Sequence, residues 1–183
     1  MKTVDTFIVL IAAFLVVFGE CATSTRGLLG AQIDLLPAII VYAALRTGLF
    51  TVTLAAILGG LWFDSLSANP AGLTILPLFL TGFVIHQRRE LILQDQVFAQ
   101  CVLGLAACAF TPLAGLLMLF TSGRMPLVGW GTIWQVFVMA VGGGLLTPVC
   151  FSLFAFIRRS FFYEPLSQNS FRHDRQIRRG RRL

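Results

Sequence analysis

A series of long apolar runs constrains this chain most, because each run is close to the length needed to cross a bilayer. The first reads "TFIVLIAAFLVVFG". A helix of about 20 apolar residues crosses the roughly 30 Å of hydrocarbon in a membrane. The run is apolar on every side, whereas strands of a transmembrane β-barrel alternate apolar and polar residues. The pattern therefore predicts an all-α, polytopic membrane protein.

Composition agrees with this class, because 57% of the 183 residues are hydrophobic and 12% are charged. In soluble domains about a quarter of the residues are charged. A secretory signal is the alternative for the first run, since "ECATS" loosely fits a cleavage site. The run is long enough to span and five others follow it. We therefore interpret it as a retained first helix.

The turn signals divide the chain into six predicted spans. "LRTG" and "LSANPAG" are short turns, so the second, third and fourth spans should be antiparallel neighbours. The spans form one predicted domain, residues 1–159, followed by a basic tail, residues 160–183. The predicted spans are residues 5–24, 32–46, 48–66, 71–88, 95–121 and 130–157.

Basic residues orient these spans. With the N-terminus inside, twelve of the fourteen lysines and arginines fall on the inner side and two, Arg26 and Arg124, on the outer side. Cytoplasmic segments of membrane proteins carry an excess of such residues, so both termini are predicted to be cytoplasmic. A basic tail can bind nucleic acid or anionic lipid. This tail has no recognisable nucleic-acid fold, and we interpret it as a signal that keeps this end of the chain in the cytoplasm. The predicted cytoplasmic anchor comprises Arg46, Arg88, Arg89, Arg158 and Arg159.

Two aspartates fall on the predicted outer side, where Asp34 begins the second span and Asp64 ends the third. A charge near hydrocarbon is costly unless it is paired or hydrated. We therefore predict an outer-face polar cluster that serves structure or partner binding. The alternative is that Asp64 is hydrated at the interface and helps to begin the turn. The predicted cluster comprises Asp34, Asp64, Arg26, Arg124 and the turn residues Asn69, Pro70 and Gly72.

No catalytic or metal-binding motif is present in the sequence. H-E-x-x-H, G-x-S-x-G and the P-loop are missing, and the four cysteines form no C-x-x-C pair. We therefore expect no enzyme activity and no cofactor. Small residues inside the spans allow helices to approach closely, either within this bundle or against a partner helix. The predicted packing residues are Gly59, Gly60, Gly104 and Cys108.

Residues 32–90 carry a family resemblance. The block reads "QIDLLPAIIVYAALRTGLFTVTLAAILGGLWFDSLSANPAGLTILPLFLTGFVIHQRRE" and resembles the central part of the rod shape-determining protein MreD family. The likeness lies in the acid-Leu-Leu-Pro start, the "VYAALR" exit, the glycine-bearing third helix that ends in Asp, the Pro-x-Gly-Leu re-entry and the basic exit. The order and spacing of these elements carry the resemblance.

The resemblance implies a non-enzymatic membrane component of the bacterial elongation complex, which supports peptidoglycan synthesis and cell shape. It implies binding to an MreC-like single-span protein and, through that complex, an association with MreB, RodA and a penicillin-binding transpeptidase. MreD-like proteins resemble the S components of ECF vitamin transporters in their six-helix architecture, so a substrate-binding uptake subunit is the alternative. S components commonly carry Ala-x-x-x-Ala in the first helix, whereas Ala12 and Ala13 are adjacent here.

Overall fold

The regular elements in the described part of the chain are all helices. The computed structural model describes residues 2–22, 30–67, 70–90, 96–123 and 129–161. Within these ranges there are six α-helices and no strand, so the predicted all-α class is confirmed. The tail beyond residue 161 lies outside the described ranges. The helices are α1 (Lys2–Ala22), α2 (Leu36–Arg46), α3 (Leu49–Leu66), α4 (Ile75–Arg88), α5 (Val97–Thr121) and α6 (Trp130–Phe161).

Helix length separates the six elements into two groups. Four of the described helices, α1, α3, α5 and α6, are long and apolar enough to cross a membrane. Helix α2 has 11 residues and α4 has 14, so at about 1.5 Å per residue they extend about 17 and 21 Å, short of the roughly 30 Å of hydrocarbon. The chain therefore has the helices of an α-helical membrane protein, and six full crossings stay a prediction.

The short helix α2 forms the centre of the bundle. Every residue from Leu36 to Leu45 is buried, and α2 contacts each of the other five described helices. Pro37 lies in its first turn, where the missing amide proton removes no intrahelical hydrogen bond. A helix buried on all sides needs no polar face, which explains the unbroken apolar sequence "LPAIIVYAAL".

Large apolar side chains cover the outside of the bundle. Phe7 on α1, Phe98 on α5 and Phe156 on α6 are each more than 60% exposed. Apolar surface of this extent is unusual on a soluble monomer and is what acyl chains would contact in a bilayer.

The small residues of the spans lie where helices approach closely. A Cβ atom on Gly59 would stand 2.9 Å from Leu36 Cδ1, and one on Gly60 would stand 3.0 Å from the Cα of Ile75. Larger side chains at these positions would push α3 away from its neighbours. The structure thus places both glycines against helices of the same chain.

Helices α5 and α6 meet in the same way. A Cβ atom on Gly104 would overlap the side chain of Thr147, and one on Gly143 would overlap Cys108. Cys108 is fully buried. The predicted packing residues of α5 therefore also face this chain's own bundle.

Candidate functional site

A non-helical segment, residues 30–35, precedes α2 and is partly enclosed by the bundle, since Gly30 is exposed and residues 31–35 are buried or half-buried. Ala31 is fully buried and Asp34 is 3% exposed. Backbone N–H and C=O groups away from water must find partners inside the protein, and at membrane depth irregular backbone occurs only where protein or a cavity surrounds it. The groups that form hydrogen bonds with this segment therefore define the candidate site.

Side chains from α1 and α6 supply those partners. Gln135 Oε1 accepts a hydrogen bond from the backbone N–H of Gln32 at 3.2 Å, and Gln135 Nε2 donates to the carbonyl of Gln32 at 2.8 Å. Glu20 Oε1 accepts from the N–H of Leu35 at 2.6 Å. One amide and one carboxylate thus hold the segment from two sides.

The carboxylate of Asp34 accepts a hydrogen bond from the amide that follows Leu35. Its Oδ1 accepts from the N–H of Leu36 at 2.8 Å, at the start of α2. A negative charge at a helix N-terminus is favoured by the helix dipole. The predicted second span began at residue 32, but the helix begins at Leu36, because the backbone groups of Gln32 and Leu35 bond to side chains of other helices instead of continuing the helix.

Asp64 likewise accepts hydrogen bonds from backbone N–H groups, at the turn before α4. Its Oδ2 accepts from the N–H groups of Gly72 at 2.8 Å and Thr74 at 3.1 Å, and its Oδ1 accepts a short hydrogen bond from the Thr74 hydroxyl. Gly72 has a φ of 93°, a conformation that favours glycine. Asp64 is bonded to this re-entry turn and is only 2% exposed, so its carboxylate is shielded from water. Pro70 accepts a hydrogen bond from Leu73 in the same turn.

A cavity of about 790 Å³ opens beside these groups. This volume lies within the usual range of ligand pockets, about 300–1,000 Å³. Its wall combines polar groups with the apolar side chains of Phe63, Leu66, Leu116 and Met139. The polar lining includes Glu20, Gln32, Asp34, Thr74, Thr111 and Gln135. We name this part of the bundle, with Glu20, Asp34 and Asp64, the acidic end.

Glu20 is the most unusual group in the cavity wall. Its Oε2 atom is buried and has no hydrogen-bond partner among the described residues. Glu20 also lies in the last turn of α1, where the helix dipole disfavours an anion. Both features make this carboxylate costly for the fold.

The opposite end of the bundle carries cations at helix C-termini, and we name it the basic end. His86 Nδ1 lies 3.0 Å from the carbonyl oxygen of Ala44, to which it donates in the tautomer protonated at Nδ1. Arg89 Nη1 donates to the carbonyl of Thr47 at 3.4 Å. Cations near helix C-termini are favoured by the helix dipole.

A side-chain ion pair joins the first and last described helices at the basic end. Arg158 Nε on α6 lies 3.9 Å from Asp5 Oδ1 on α1. Arg46, Arg88 and Arg159 are exposed. The side of the membrane on which these arginines lie stays a prediction.

The predicted outer-face cluster is described only in part. Asp34 contacts Leu36 and lines the cavity, while Asp64 contacts the turn before α4. Their direct association stays a prediction. Arg26, Arg124 and Asn69 lie outside the described residues.

Glu20, Gln32 and Gln135 were absent from the predicted site. An acid in the last turn of an apolar helix, on the same predicted side as Asp34, is a signal that could have indicated Glu20. The partnership of Gln32 with Gln135 joins residues far apart in sequence and has no local signal. Comparisons with protein-family models, curated proteins and solved structures gave no match.

Proposed function

We propose that this chain is a non-enzymatic membrane component of a bacterial elongation complex. It binds an MreC-like single-span protein, lies in the inner membrane with both termini cytoplasmic, and supports peptidoglycan synthesis and cell shape. Within that assembly the MreC-like protein provides the association with MreB, RodA and a penicillin-binding transpeptidase.

The observation that supports this proposal is that the elements of the MreD-like pattern coincide with junctions of the bundle core. The acid-Leu-Leu-Pro start contains Asp34, whose carboxylate accepts a hydrogen bond from the first amide of α2. The exit "VYAALRTG" contains the end of α2, where the N–H of Thr47 bonds to Ala43. The helix-ending Asp64 bonds to the Pro-x-Gly-Leu re-entry at Gly72. These positions of the pattern therefore form contacts at the junctions of the helices, which favours a shared fold over a chance likeness.

The contacts also narrow the surface for a partner. Of the surfaces that the sequence suggests for a partner, two pack within this chain: Gly59 and Gly60 of α3, and Gly104 and Cys108 of α5. The turn between α3 and α4 remains, where Leu66 is 53% exposed and Ala71 is exposed. We propose this turn as the place where the MreC-like protein binds.

Co-purification tests the proposal. The full-length chain should retain the MreC-like protein of its own bacterium after detergent extraction, and Ala71→Trp should reduce the retained amount strongly. The matched control is Ser122→Trp, because Ser122 is exposed in a turn at the same end of the bundle. Failure of the wild-type chain to retain the partner would remove the proposed function. Full retention by Ala71→Trp would remove only the proposed surface.

A substrate-binding S component of an ECF-type vitamin transporter is the second candidate, and the cavity of about 790 Å³ at the acidic end is the observation that favours it. Mass spectrometry of the purified protein separates the two functions. A retained vitamin, together with co-purification of ATP-binding subunits, would support the transporter, whereas the MreC-like protein alone supports the elongation complex.

A further inference from the structure

Two carboxylates share one side of the cavity. Glu20 accepts a hydrogen bond from the N–H of Leu35, and Asp34 accepts one from the next amide, that of Leu36. The side chains therefore face the same short stretch of backbone. Two carboxylates that are removed from water cannot both be ionised without cost, because they repel each other and lose hydration, so a nearby cation would stabilise the ionised pair.

The hydrogen bonds leave room for such a cation. Leu35 and Leu36 each engage one oxygen of a carboxylate, and Glu20 Oε2 has no partner among the described residues although it is buried. Asp34 is only 3% exposed to solvent and lines the cavity. Among the described residues that line the cavity there is no lysine or arginine.

The remainder of the wall fits an apolar body attached to that cation. Phe63, Leu116, Val136 and Met139 line the cavity together with the amide side chain of Gln135. Ligand pockets typically combine such apolar walls with a few fixed polar groups that orient the ligand. The wall therefore provides an anionic side and an apolar side.

We propose that the cavity at the acidic end is a binding site for an ammonium or guanidinium group, which Glu20 and Asp34 hold. This site is independent of the proposed contact with an MreC-like protein. The cation has two sources of the same chemistry: a small organic amine from outside the chain, or the guanidinium of Arg26 or Arg124. Glu20 Oε2 and the carboxylate of Asp34 accept charge-assisted hydrogen bonds from it.

Thermal denaturation of the full-length protein in nanodiscs tests the proposal, with 2-phenylethylamine as the cationic probe. The uncharged analogue 2-phenylethanol has the same apolar body and is the matched control. The amine should raise the unfolding midpoint with increasing concentration, because a ligand that binds the folded state stabilises it, and the alcohol should not. An equal rise with both compounds would overturn the proposal.

Variants assign the effect to the two carboxylates. Glu20→Gln keeps an oxygen that can accept from Leu35 and removes the charge, so amine binding should weaken about tenfold or more. Asp34→Asn should act in the same direction. Asp5→Asn, at the basic end, removes a charge far from the cavity and should leave binding unchanged. Wild-type affinity in Glu20→Gln would overturn the proposal.

The double variant Arg26→Gln, Arg124→Gln distinguishes the two sources of the cation. A rise in the wild type supports a cation from outside the chain. A rise in the double variant alone supports an arginine of this chain as the occupant of the same site. No rise in either protein would overturn the proposal, and it would leave the co-purification result of the proposed function untouched.

Discussion

The acidic end of the bundle places carboxylates against backbone N–H groups, whereas the basic end places basic side chains against backbone carbonyls. At the acidic end, Glu20, Asp34 and Asp64 accept hydrogen bonds from backbone N–H groups at the first residue of α2 or in the segments that precede α2 and α4. At the basic end, His86 and Arg89 contact the backbone carbonyls of Ala44 and Thr47, at the C-terminal end of α2. Helices α2 and α4 run from the first end to the second, so each has anions at its N-terminus and cations at its C-terminus, as the helix dipole favours.

The two ends differ in burial, and this difference decides how much each contributes to stability. Asp34 and Asp64 are almost fully buried, whereas the side chains of Arg158 and Asp5 are 45% and 30% exposed. A buried amide that loses its acceptor costs more than an exposed ion pair that separates. The acidic end should therefore carry the structural stability, while the basic end contributes charge to the surface.

The largest expected effect follows substitution of Asp64. Asp64→Ala leaves two amides and the Thr74 hydroxyl without their acceptor, so the free energy of unfolding should fall by about 3 kcal/mol or more, since each unsatisfied buried group costs about 1–3 kcal/mol. Titration with a denaturing detergent measures it. Ser65→Ala is the control, because the exposed Ser65 hydroxyl bonds only to Leu61 of its own helix. Equal stability of the two variants would contradict the assigned role.

Removal of the Gln135 amide should have a smaller effect at the same end. Gln135→Met keeps the length of the side chain but loses both hydrogen bonds to Gln32, so unfolding should become easier by about 1–2 kcal/mol. Gln87→Met is the matched control, because Gln87 is exposed at the end of α4. The comparison fails if Gln87→Met destabilises the protein as much as Gln135→Met does.

Substitution of His86 tests the basic end. His86→Leu removes the contact with the carbonyl of Ala44, and we expect a loss of about 0.5–1 kcal/mol in the same detergent assay, typical of one hydrogen bond in a half-buried site. A loss as large as that of Asp64→Ala would show that the two ends contribute equally.

The smallest effect is expected for the pair between the terminal helices. Asp5→Asn should change the free energy of unfolding by less than about 0.5 kcal/mol, because exposed ion pairs are screened and contribute little. The measurement is repeated at low and high salt, and the small difference from wild type should decrease as salt rises. A loss above about 1 kcal/mol that salt does not change would contradict this account.

The helices could be predicted from the sequence because the long apolar runs leave few alternatives for backbone hydrogen bonding in lipid. The predicted turn "LRTG" also agrees with the structure, in which α2 ends at Arg46 and α3 begins at Leu49. The exact start of α2 could not be predicted, since it depends on Glu20 and Gln135, side chains from two other helices.

The cavity could not be predicted from the sequence for the same reason. Its wall is assembled from both ends of the sequence, from Glu20 on α1 to Met139 on α6. Apolar helices such as α5 and α6 have no polar face that would indicate which side turns inward. The sequence indicated that Asp34 needs a partner, and the packing of the helices determined which groups surround it.

Labelling of Cys21 tests the central claim most directly, namely that the bundle crosses the membrane with the acidic end outside. Cys21 is exposed and lines the cavity. A membrane-impermeant maleimide should label it in intact spheroplasts, and Cys21→Ala should remove that label. In the Cys21→Ala protein, a cysteine introduced by Gln87→Cys at the basic end should react only after permeabilisation. The reverse pattern, with Gln87→Cys labelled from outside and Cys21 protected, would contradict the account.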